Sequence, residues 1–194
     1  MRHFLRSAMF SVAVLLAACA THIQPGRTTN PPPLEKFSAF DKFELKPVEL
    51  APAYARNGAN IKATAKIQEY FDQRVKPTVT GWNGTARGNG PTLLIEPYIQ
   101  DIKFISIGAR IWAGPFAGSS AVVMKVRYRD KSSGKLIAEP EFYQRAAAMS
   151  GTMTVGGQDN AMLARIVTLV ADYTTRNYQG SVGGETGFTA DTDH

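Results

Sequence analysis

The strongest constraint on this chain is its single cysteine, Cys19, which closes an apolar run near the start of 194 residues. One cysteine cannot form an intramolecular disulfide, so the fold must depend on a hydrophobic core. Arg2 and Arg6 precede the apolar residues 10–18, and this order is typical of a secretory signal peptide. The run is shorter than the about 20 apolar residues of a transmembrane helix. We therefore interpret residues 1–18 as a cleaved signal.

The residues Leu16, Ala17, Ala18 and Cys19 resemble the lipobox of bacterial lipoproteins at every position. The resemblance implies cleavage between Ala18 and Cys19, attachment of diacylglycerol to the Cys19 thiol, and acylation of the new amino group. Two or three acyl chains form a lasting anchor, because each buried methylene contributes about 0.8 kcal/mol. Residue 20 is Ala, whereas Asp there retains enterobacterial lipoproteins at the inner membrane. We therefore expect the periplasmic face of the outer membrane.

The charge balance limits the classes of partner. Removal of residues 1–18 deletes two of the 22 basic side chains and none of the 16 acidic ones, which lowers the formal net charge from +6 to +4. A mildly basic surface suits anionic envelope components. The sequence shows no dense basic face and no recognisable nucleic-acid module, so we predict no nucleic-acid partner.

Composition divides the mature chain into three parts. Residues 19–35 contain Pro25, Gly26 and three consecutive prolines, which predicts an acylated cysteine followed by an extended tether. Residues 36–178 are numerous enough for one periplasmic domain. Residues 179–194 are rich in Gly, Ser, Thr and Asp, and we predict a disordered tail.

Hydrophobic periodicity predicts six main elements in the domain. In chain order they are a strand (37–48), a helix (60–76), three strands (92–106, 120–130 and 135–145) and a helix (160–177). Pro77 is expected to end the first helix, and a turn-rich loop is expected over 81–91. The order β-α-β-β-β-α predicts an α+β fold. We expect a two-layer sandwich in which two helices pack on a mostly antiparallel sheet of about four strands.

The hairpin between the last two strands allows a specific register to be predicted. If residues 132–134 form a three-residue loop with Gly134 in the left-handed conformation, Lys125 faces Glu141 and Arg127 faces Glu139. Opposite charges across strands contribute roughly 0.2 to 1 kcal/mol per pair. Because Pro140 lacks an amide donor, the second strand should be an edge strand or contain a bulge.

The inventory of reactive side chains argues against catalysis. The three histidines are His3 in the signal, His22 in the tether and His194 at the last position, so the predicted domain has neither histidine nor free thiol. This excludes Ser-His and Cys-His nucleophiles and the usual zinc ligands. Glu139 and Glu141 have a spacing compatible with a glycosidase pair, but ion pairing across the hairpin is the stronger interpretation. We predict a protein that is not an enzyme and needs no cofactor or metal.

One loop has a composition that favours contact with a partner. Residues 107–118 are interrupted by glycines whose spacing fits neither a phosphate-binding loop nor a dinucleotide-binding motif. The loop also carries Trp112 and Phe116. Such aromatics either cap the core or form a contact surface for a partner or a membrane. We take Arg110, Trp112 and Phe116 as a candidate partner-contact loop.

Four segments resemble a family of bacterial lipoproteins grouped as domain-of-unknown-function 4410. They are LLIEPYIQDIKF, GARIWAGPFAGSSAVVMKVRYRD, SSGKLIAEPEF and MTVGGQDNAMLARIVTLVADY. Members of that family share the lipobox, an Ile/Val-Glu-Pro strand, a glycine-rich turn before a Gly-Lys hairpin, and a closing helix. The resemblance covers residues 36–178 and implies a lipid-anchored fold, but it supplies no catalytic residues.

The sequence therefore predicts a lipid-anchored lipoprotein that acts as a non-enzymatic binding or structural module. It would attach to the membrane through its N-terminal lipid and contact another envelope component, either a protein or a glycan. The alternative is a small-ligand or lipid-handling component of an envelope transport system. An apolar cavity between helix and sheet would favour the alternative, whereas a filled core would favour an interaction surface.

Overall fold

The structure, a computed structural model, describes residues 23–85, 88–105, 119–146 and 157–188. Its elements are β1 (Thr29–Asn30), β2 (Lys42–Leu45), β3 (Glu49–Leu50), α1 (Gly58–Arg74), α2 (Lys76–Gly84), β4 (Thr92–Lys103), β5 (Ala121–Asp130), β6 (Leu136–Ala138), β7 (Glu141–Arg145), α3 (Gly157–Gln179) and β8 (Gly184–Glu185). Short 3₁₀ turns occupy Phe37–Ala39 and Pro52–Tyr54. The predicted α+β class is confirmed.

The main sheet is mixed and has six strands, so the predicted sheet of about four mostly antiparallel strands is too small. Strand β4 pairs antiparallel with β5, and β5 pairs antiparallel with β6 and β7. Strands β2 and β3 instead run parallel to β4. The predicted strand over 37–48 is divided near Pro47. Its two parts reach β4 through the helical connection α1–α2, and such a crossover allows parallel pairing.

The predicted hairpin register is confirmed along most of its length. Lys125 pairs with Glu141, and Lys125 Nζ lies 3.6 Å from Glu141 Oε2. Gly134 has φ +72°, the left-handed conformation that glycine adopts without strain. The predicted pairing of Arg127 with Glu139 does not form an ion pair, because the Arg127 guanidinium lies 5.7 Å from the centre of the Tyr98 ring.

The turn itself differs from the three-residue loop expected. Asp130 N–H donates to the Lys135 carbonyl, and Arg129 faces Leu136. The register shifts by one residue between Arg129 and Tyr128. From Tyr128 back to Ala121, away from the turn, the pairing matches the predicted register. The Asp130 carboxylate accepts the Ser132 N–H at 2.8 Å and stabilises this wider turn. These hydrogen bonds, led by one from the Ser132 hydroxyl, lower the pKa of Asp130.

The first helical region is longer than predicted. Asn57 Oδ1 accepts the Ala59 N–H at 2.9 Å and caps the start of α1. The chain bends at Val75, and Pro77 then lies in the first turn of α2, where a missing N–H disrupts no helical bond. A second helix, α2, therefore runs from Lys76 to Gly84. The predicted helix over 60–76 is found as α1, which ends at Arg74. The expected loop over 81–91 is corrected for residues 81–84, which are the last residues of α2.

The hydrophobic core lies between the helices and one face of the main sheet. Helix α3 contributes a row of fully buried side chains, among them Ile166, Val167 and Val170. The facing strand residues include Met124 and Tyr128, which are also fully buried. Burial of each such side chain stabilises the fold by about 1.5 to 3 kcal/mol. The helix predicted over 160–177 is confirmed as α3.

The first and the last segments that the structure describes cover the β7 edge of the sheet. Residues 23–35, which we call the N-terminal strap, include β1, and β1 pairs antiparallel with β8. The Asn30 side chain donates to the Glu141 carbonyl at 2.8 Å and accepts the Glu141 N–H at 2.7 Å. Tyr143 N–H donates to the Thr186 carbonyl. An edge strand leaves unpaired backbone groups, and here these segments satisfy them. Residues 23–35 and 180–188 are therefore ordered, unlike the predicted tether and tail.

The opposite edge is closed by a second asparagine. Asn83 of α2 donates to the Phe43 carbonyl at 2.8 Å and accepts the Phe43 N–H at 2.8 Å. The Gln68 side chain accepts the Val48 N–H at 2.8 Å beside β3. Side-chain amides thus replace a neighbouring strand at both edges of the sheet.

Candidate functional site

The site residues predicted from the sequence lie outside the described part of the chain. This holds for Ala18 and Cys19 at the cleavage and acylation site, and for Arg110, Trp112 and Phe116 of the partner-contact loop. All five assignments therefore stay predictions. Among the residues that are described, no helix has both the length and the apolar character needed to cross a membrane.

A cleft of about 390 Å³ opens on the surface beside β2. The ends of α2 and α3 and the turn that precedes β2 meet there. We call this surface the aromatic cleft, and its lining residues are Ser38, Phe40, Asp41, Phe43, Trp82, Thr85 and Tyr178.

Three aromatic rings form one wall of the aromatic cleft. The Trp82 and Tyr178 rings are stacked with their centres 4.1 Å apart and an interplanar angle of 13°. The centre of the Phe43 ring lies 5.0 Å from the centre of the Trp82 ring, and the two ring planes form an angle of 55°. Such pairs contribute about 0.5 to 1.5 kcal/mol beyond the burial of their area. Phe43 is buried and the other two rings are half-buried, so the cluster connects the core to solvent.

The position of Trp82 is fixed by its neighbours in sequence. The Asn83 side-chain amide accepts a hydrogen bond from the Phe43 N–H and donates one to the Phe43 carbonyl. These two bonds hold the end of α2 against β2. The Thr85 hydroxyl donates to the Trp82 carbonyl at 2.9 Å and satisfies one of the carbonyls left unpaired at a helix end. The ring cluster is consequently a rigid wall supported by regular structure.

The aromatic cleft also contains polar groups with unused hydrogen-bonding capacity. The Trp82 indole N–H, the Tyr178 hydroxyl and the Ser38 hydroxyl make no hydrogen bond to any part of the chain that the structure describes. Tryptophan and tyrosine combine an apolar ring with a polar group that normally finds a partner when buried. These three groups are available to a ligand in the cleft.

Asp41 supports the cleft from the side of the loop before β4. Its Oδ2 accepts the Gly90 N–H at 2.7 Å. A Cβ at position 90 would lie 2.3 Å from that oxygen, so glycine permits this close approach. The contact fixes one carboxylate oxygen of Asp41, and its other oxygen has no hydrogen bond within the described ranges.

Two half-buried groups with strongly shifted pKa values, Glu44 and Tyr54, do not line the cleft. Hydrogen bonds from Lys131 and Lys46 lower the pKa of Glu44 to about 2. The hydrogen bond from the Tyr54 hydroxyl to Asp101, 2.7 Å long, raises the pKa of Tyr54 to about 12. Both shifts move the pKa away from neutrality, so neither group is adjusted for proton transfer at neutral pH.

The two carboxylates with glycosidase-like spacing, Glu139 and Glu141, have different surroundings in the structure. Glu141 is buried, pairs with Lys125 and accepts the Gly26 N–H. Glu139 is half-buried. The ion-pair interpretation is confirmed for Glu141 alone. In the part of the chain described, no three His, Cys, Asp or Glu side chains are grouped so as to hold a metal ion.

Sequence reasoning missed Trp82 and Tyr178 as site residues. Trp82 was expected in a loop because Pro77 was read as a helix end, and Tyr178 was expected at the boundary of the domain. The available signal was the spacing of Val79 and Trp82, three residues apart, which places both on one face of a second helix whose first turn contains Pro77. The pairing of Trp82 with Tyr178, 96 positions apart in the printed numbering, has no local signal.

Comparison with known proteins closes the description of the site. No family model matches the chain, and no curated protein matches significantly, so the domain-of-unknown-function 4410 resemblance stays a prediction. Similar solved structures include the PelC dodecamer from Paraburkholderia phytofirmans (13% identity, 73% of this chain and 94% of that chain, TM-score 0.36). Another is a candidate lipoprotein from Caulobacter crescentus CB15 (12% identity, 74% of this chain and 95% of that chain, TM-score 0.38). A third is the hypothetical protein CT253 from Chlamydia trachomatis (12% identity, 70% of this chain and 98% of that chain, TM-score 0.39). At such TM-scores these similarities carry no conclusion about the function of this chain.

Proposed function

We propose that this chain is a lipid-anchored lipoprotein of the cell envelope that binds another envelope component without catalysing a reaction. The observation that carries the proposal is the aromatic cleft, where three rings and several unpaired polar groups meet at the surface. The lipobox residues that end at Cys19 support acylation, and Ala at position 20 supports the periplasmic face of the outer membrane.

The chemistry of the aromatic cleft supports a polar ligand. Aromatic rings offer flat apolar surface, while the Trp82 N–H, the Tyr178 hydroxyl and the Asp41 carboxylate offer hydrogen bonds at the same place. Ligand sites commonly combine apolar walls with a few placed polar groups. A glycan and an extended peptide both present apolar patches between hydrogen-bonding groups, so either suits this wall.

The alternative, a lipid-handling component, is less well supported by the described cavities. The aromatic cleft opens beside β2, and a second cavity of about 400 Å³ lies on the surface of the N-terminal strap. Both open at the surface. The side chains where α3 meets the sheet, such as Ile166 and Met124, are fully buried against one another.

Site-specific crosslinking in intact cells tests whether the aromatic cleft contacts a partner. The full-length chain carries a photo-crosslinking amino acid in place of Thr85, at the cleft, or in place of Ser133, which is exposed on the β5–β6 turn. We expect an adduct from position 85 and none from position 133. Equal yields at the two positions, or none at 85, would contradict the proposal.

Two alanine variants separate the cleft from general stability. Trp82→Ala removes the central ring and should abolish the adduct at position 85. Tyr70→Ala is the matched control, because Tyr70 is a half-buried aromatic on α1 that packs with Lys66 and Arg74 away from the cleft. The Tyr70→Ala variant should keep the adduct.

A binding titration distinguishes a glycan from other ligands. In Trp112→Phe the sole remaining tryptophan is Trp82, so the fluorescence of the purified chain reports on the aromatic cleft. We expect a saturable change with soluble envelope polysaccharide or peptidoglycan fragments if the ligand is a glycan. A saturable change with phospholipid monomers, and none with glycans, would favour lipid handling.

A further inference from the structure

The N-terminal strap shortens the connection between the fold and the membrane. Its first described residue, Ile23, is 8% exposed and packs against Ala121, Val123 and Tyr143. Ile23 is four residues after Cys19, and four extended residues span at most about 14 Å. A free polyproline tether from position 19 to 35 would instead span about 50 Å. Given the proposed acylation of Cys19, the bilayer lies close to Ile23.

Ile23 lies at one end of the main sheet. Its neighbour Ala121 is the first residue of β5 and is paired with Lys103 of β4 and Arg145 of β7. The β5–β6 turn is at the other end of β5. Because β5 has ten residues, the two ends of the sheet are about 30 Å apart. The four-residue connection to Cys19 can therefore bring only the Ile23 end of the sheet close to the bilayer.

The strap is attached along its whole length. Gly26 N–H donates to Glu141 Oε1, and the Thr186 hydroxyl donates to the Thr28 carbonyl at 2.8 Å. The Tyr173 hydroxyl donates to the Pro31 carbonyl at 3.0 Å, and Asn30 pairs with the backbone of β7. Because Ile23 is packed against the sheet as well, residues 23–31 are held on the domain and do not add to the length of the connection between the domain and Cys19.

The charges at this end suit a lipid surface. The last paired row of strands β4, β5 and β7 has cationic side chains on both sides of Ala121, with Lys103 exposed and Arg145 half-buried. Lysine and arginine side chains near a membrane are attracted by anionic headgroups.

We infer that the domain stands directly on the bilayer that carries its anchor, with the Lys103–Ala121–Arg145 end of the sheet against the headgroups. This inference rests on the proposed acylation of Cys19. It identifies the headgroup layer as the partner of this end and leaves the aromatic cleft, on the β2 side of the sheet, for the envelope component.

Quenching by nitroxide lipids measures the orientation of the domain. The full acylated chain is reconstituted in vesicles of phosphatidylethanolamine and phosphatidylglycerol with a nitroxide headgroup lipid. A fluorophore is attached through Lys103→Cys or, as the matched exposed position at the opposite end, through Ser133→Cys. Acylation consumes the Cys19 thiol, so each variant has one reactive cysteine. We expect quenching several-fold stronger at position 103 than at position 133.

A strap variant tests the cause of that difference. Ile23→Ser combined with Asn30→Ala removes the packing and the paired amide, so the connection lengthens and the difference between the two positions should vanish. Equal quenching of both positions in the otherwise unchanged chain, with acyl chains confirmed by mass spectrometry and flotation with vesicles, would overturn the inference alone. A chain that carries no acyl groups and does not float would overturn the anchor as well.

Discussion

The buried amide of Asn30 makes a sharp prediction about how the N-terminal strap contributes to stability. Asn30 is 4% exposed and makes three hydrogen bonds. It donates to the carbonyls of Glu141 and Glu185 at 2.8 and 3.1 Å and accepts the Glu141 N–H at 2.7 Å. Asn30→Ala removes all three bonds and leaves the Glu141 backbone groups without these partners.

The expected cost follows from these three bonds. Each hydrogen bond contributes about 0.5 to 1.5 kcal/mol net, and a buried group left unpaired costs about 1 to 3 kcal/mol. Because water can reach the sheet edge once the strap loosens, we take the lower part of this range and expect Asn30→Ala to lower the free energy of unfolding by about 2 to 4 kcal/mol. The measurement is urea unfolding of residues 19–194 with Cys19→Ser, followed by circular dichroism.

Asn83→Ala is a matched control because Asn83 pairs with Phe43 through the same two-way geometry. Asn83 is exposed, so water competes for its bonds and the expected loss is below about 1 kcal/mol. If the two alanine variants lose the same stability, burial does not govern the strength of these amides and our reasoning fails.

Asn30→Asp extends the same test to pH. The carboxylate would place an acceptor opposite the carbonyls of Glu141 and Glu185, so the ionised variant should be less stable than the wild type. Burial and these acceptors raise the pKa of the new carboxyl in the folded state. Stability relative to the wild type should therefore recover as pH falls through that raised value, because the protonated group can donate again. A difference that is constant with pH would contradict this assignment.

Three further predictions concern other parts of the chain. Cys19→Ser should release or mislocalise the chain while its circular dichroism spectrum stays unchanged, and a variant that fractionates with the same membrane as the parent would refute the anchor. The lowered pKa of Glu44, about 2 against its ordinary 4.5, stabilises the fold above pH 4.5, and this stabilisation disappears towards pH 2. Since Glu44 is a third exposed, Glu44→Gln should cost below about 1 kcal/mol at neutral pH and flatten that acidic part of the stability curve. Tyr128→Phe removes the 2.6 Å hydrogen bond to the buried Thr174 hydroxyl and should lower the unfolding free energy by about 1 to 2 kcal/mol, whereas no loss would show that the Thr174 bond to Val170 is sufficient.

Elements with strong local patterns could be predicted from the sequence. The long helix α3 was expected from its broad apolar surface, and the Lys125–Glu141 pair from a glycine turn and alternating side chains. Both depend on residues close in the chain, where period and turn chemistry apply directly.

Elements that depend on distant partners could not be predicted. Strand β1 consists of Thr29–Asn30 only, in a proline-rich segment, and it exists because β8 and the backbone of Glu141 complete its hydrogen bonds. Composition describes how a segment behaves alone, and an unpaired sheet edge changes that behaviour. The aromatic cleft has the same origin, because its rings come from three elements that are separate in the sequence.

The asparagine side chains at the two edges of the main sheet restrict how another protein chain can bind there. Many proteins recognise extended peptides by β-augmentation, in which a visiting segment adds a strand to an exposed sheet edge. At Phe43 and at Glu141 the places that such a segment would occupy are already taken by the side chains of Asn83 and Asn30. Recognition at these edges would require an asparagine to leave first. A partner that binds the folded chain at these points is therefore expected to contact side chains, and the fold is protected there against edge-to-edge aggregation.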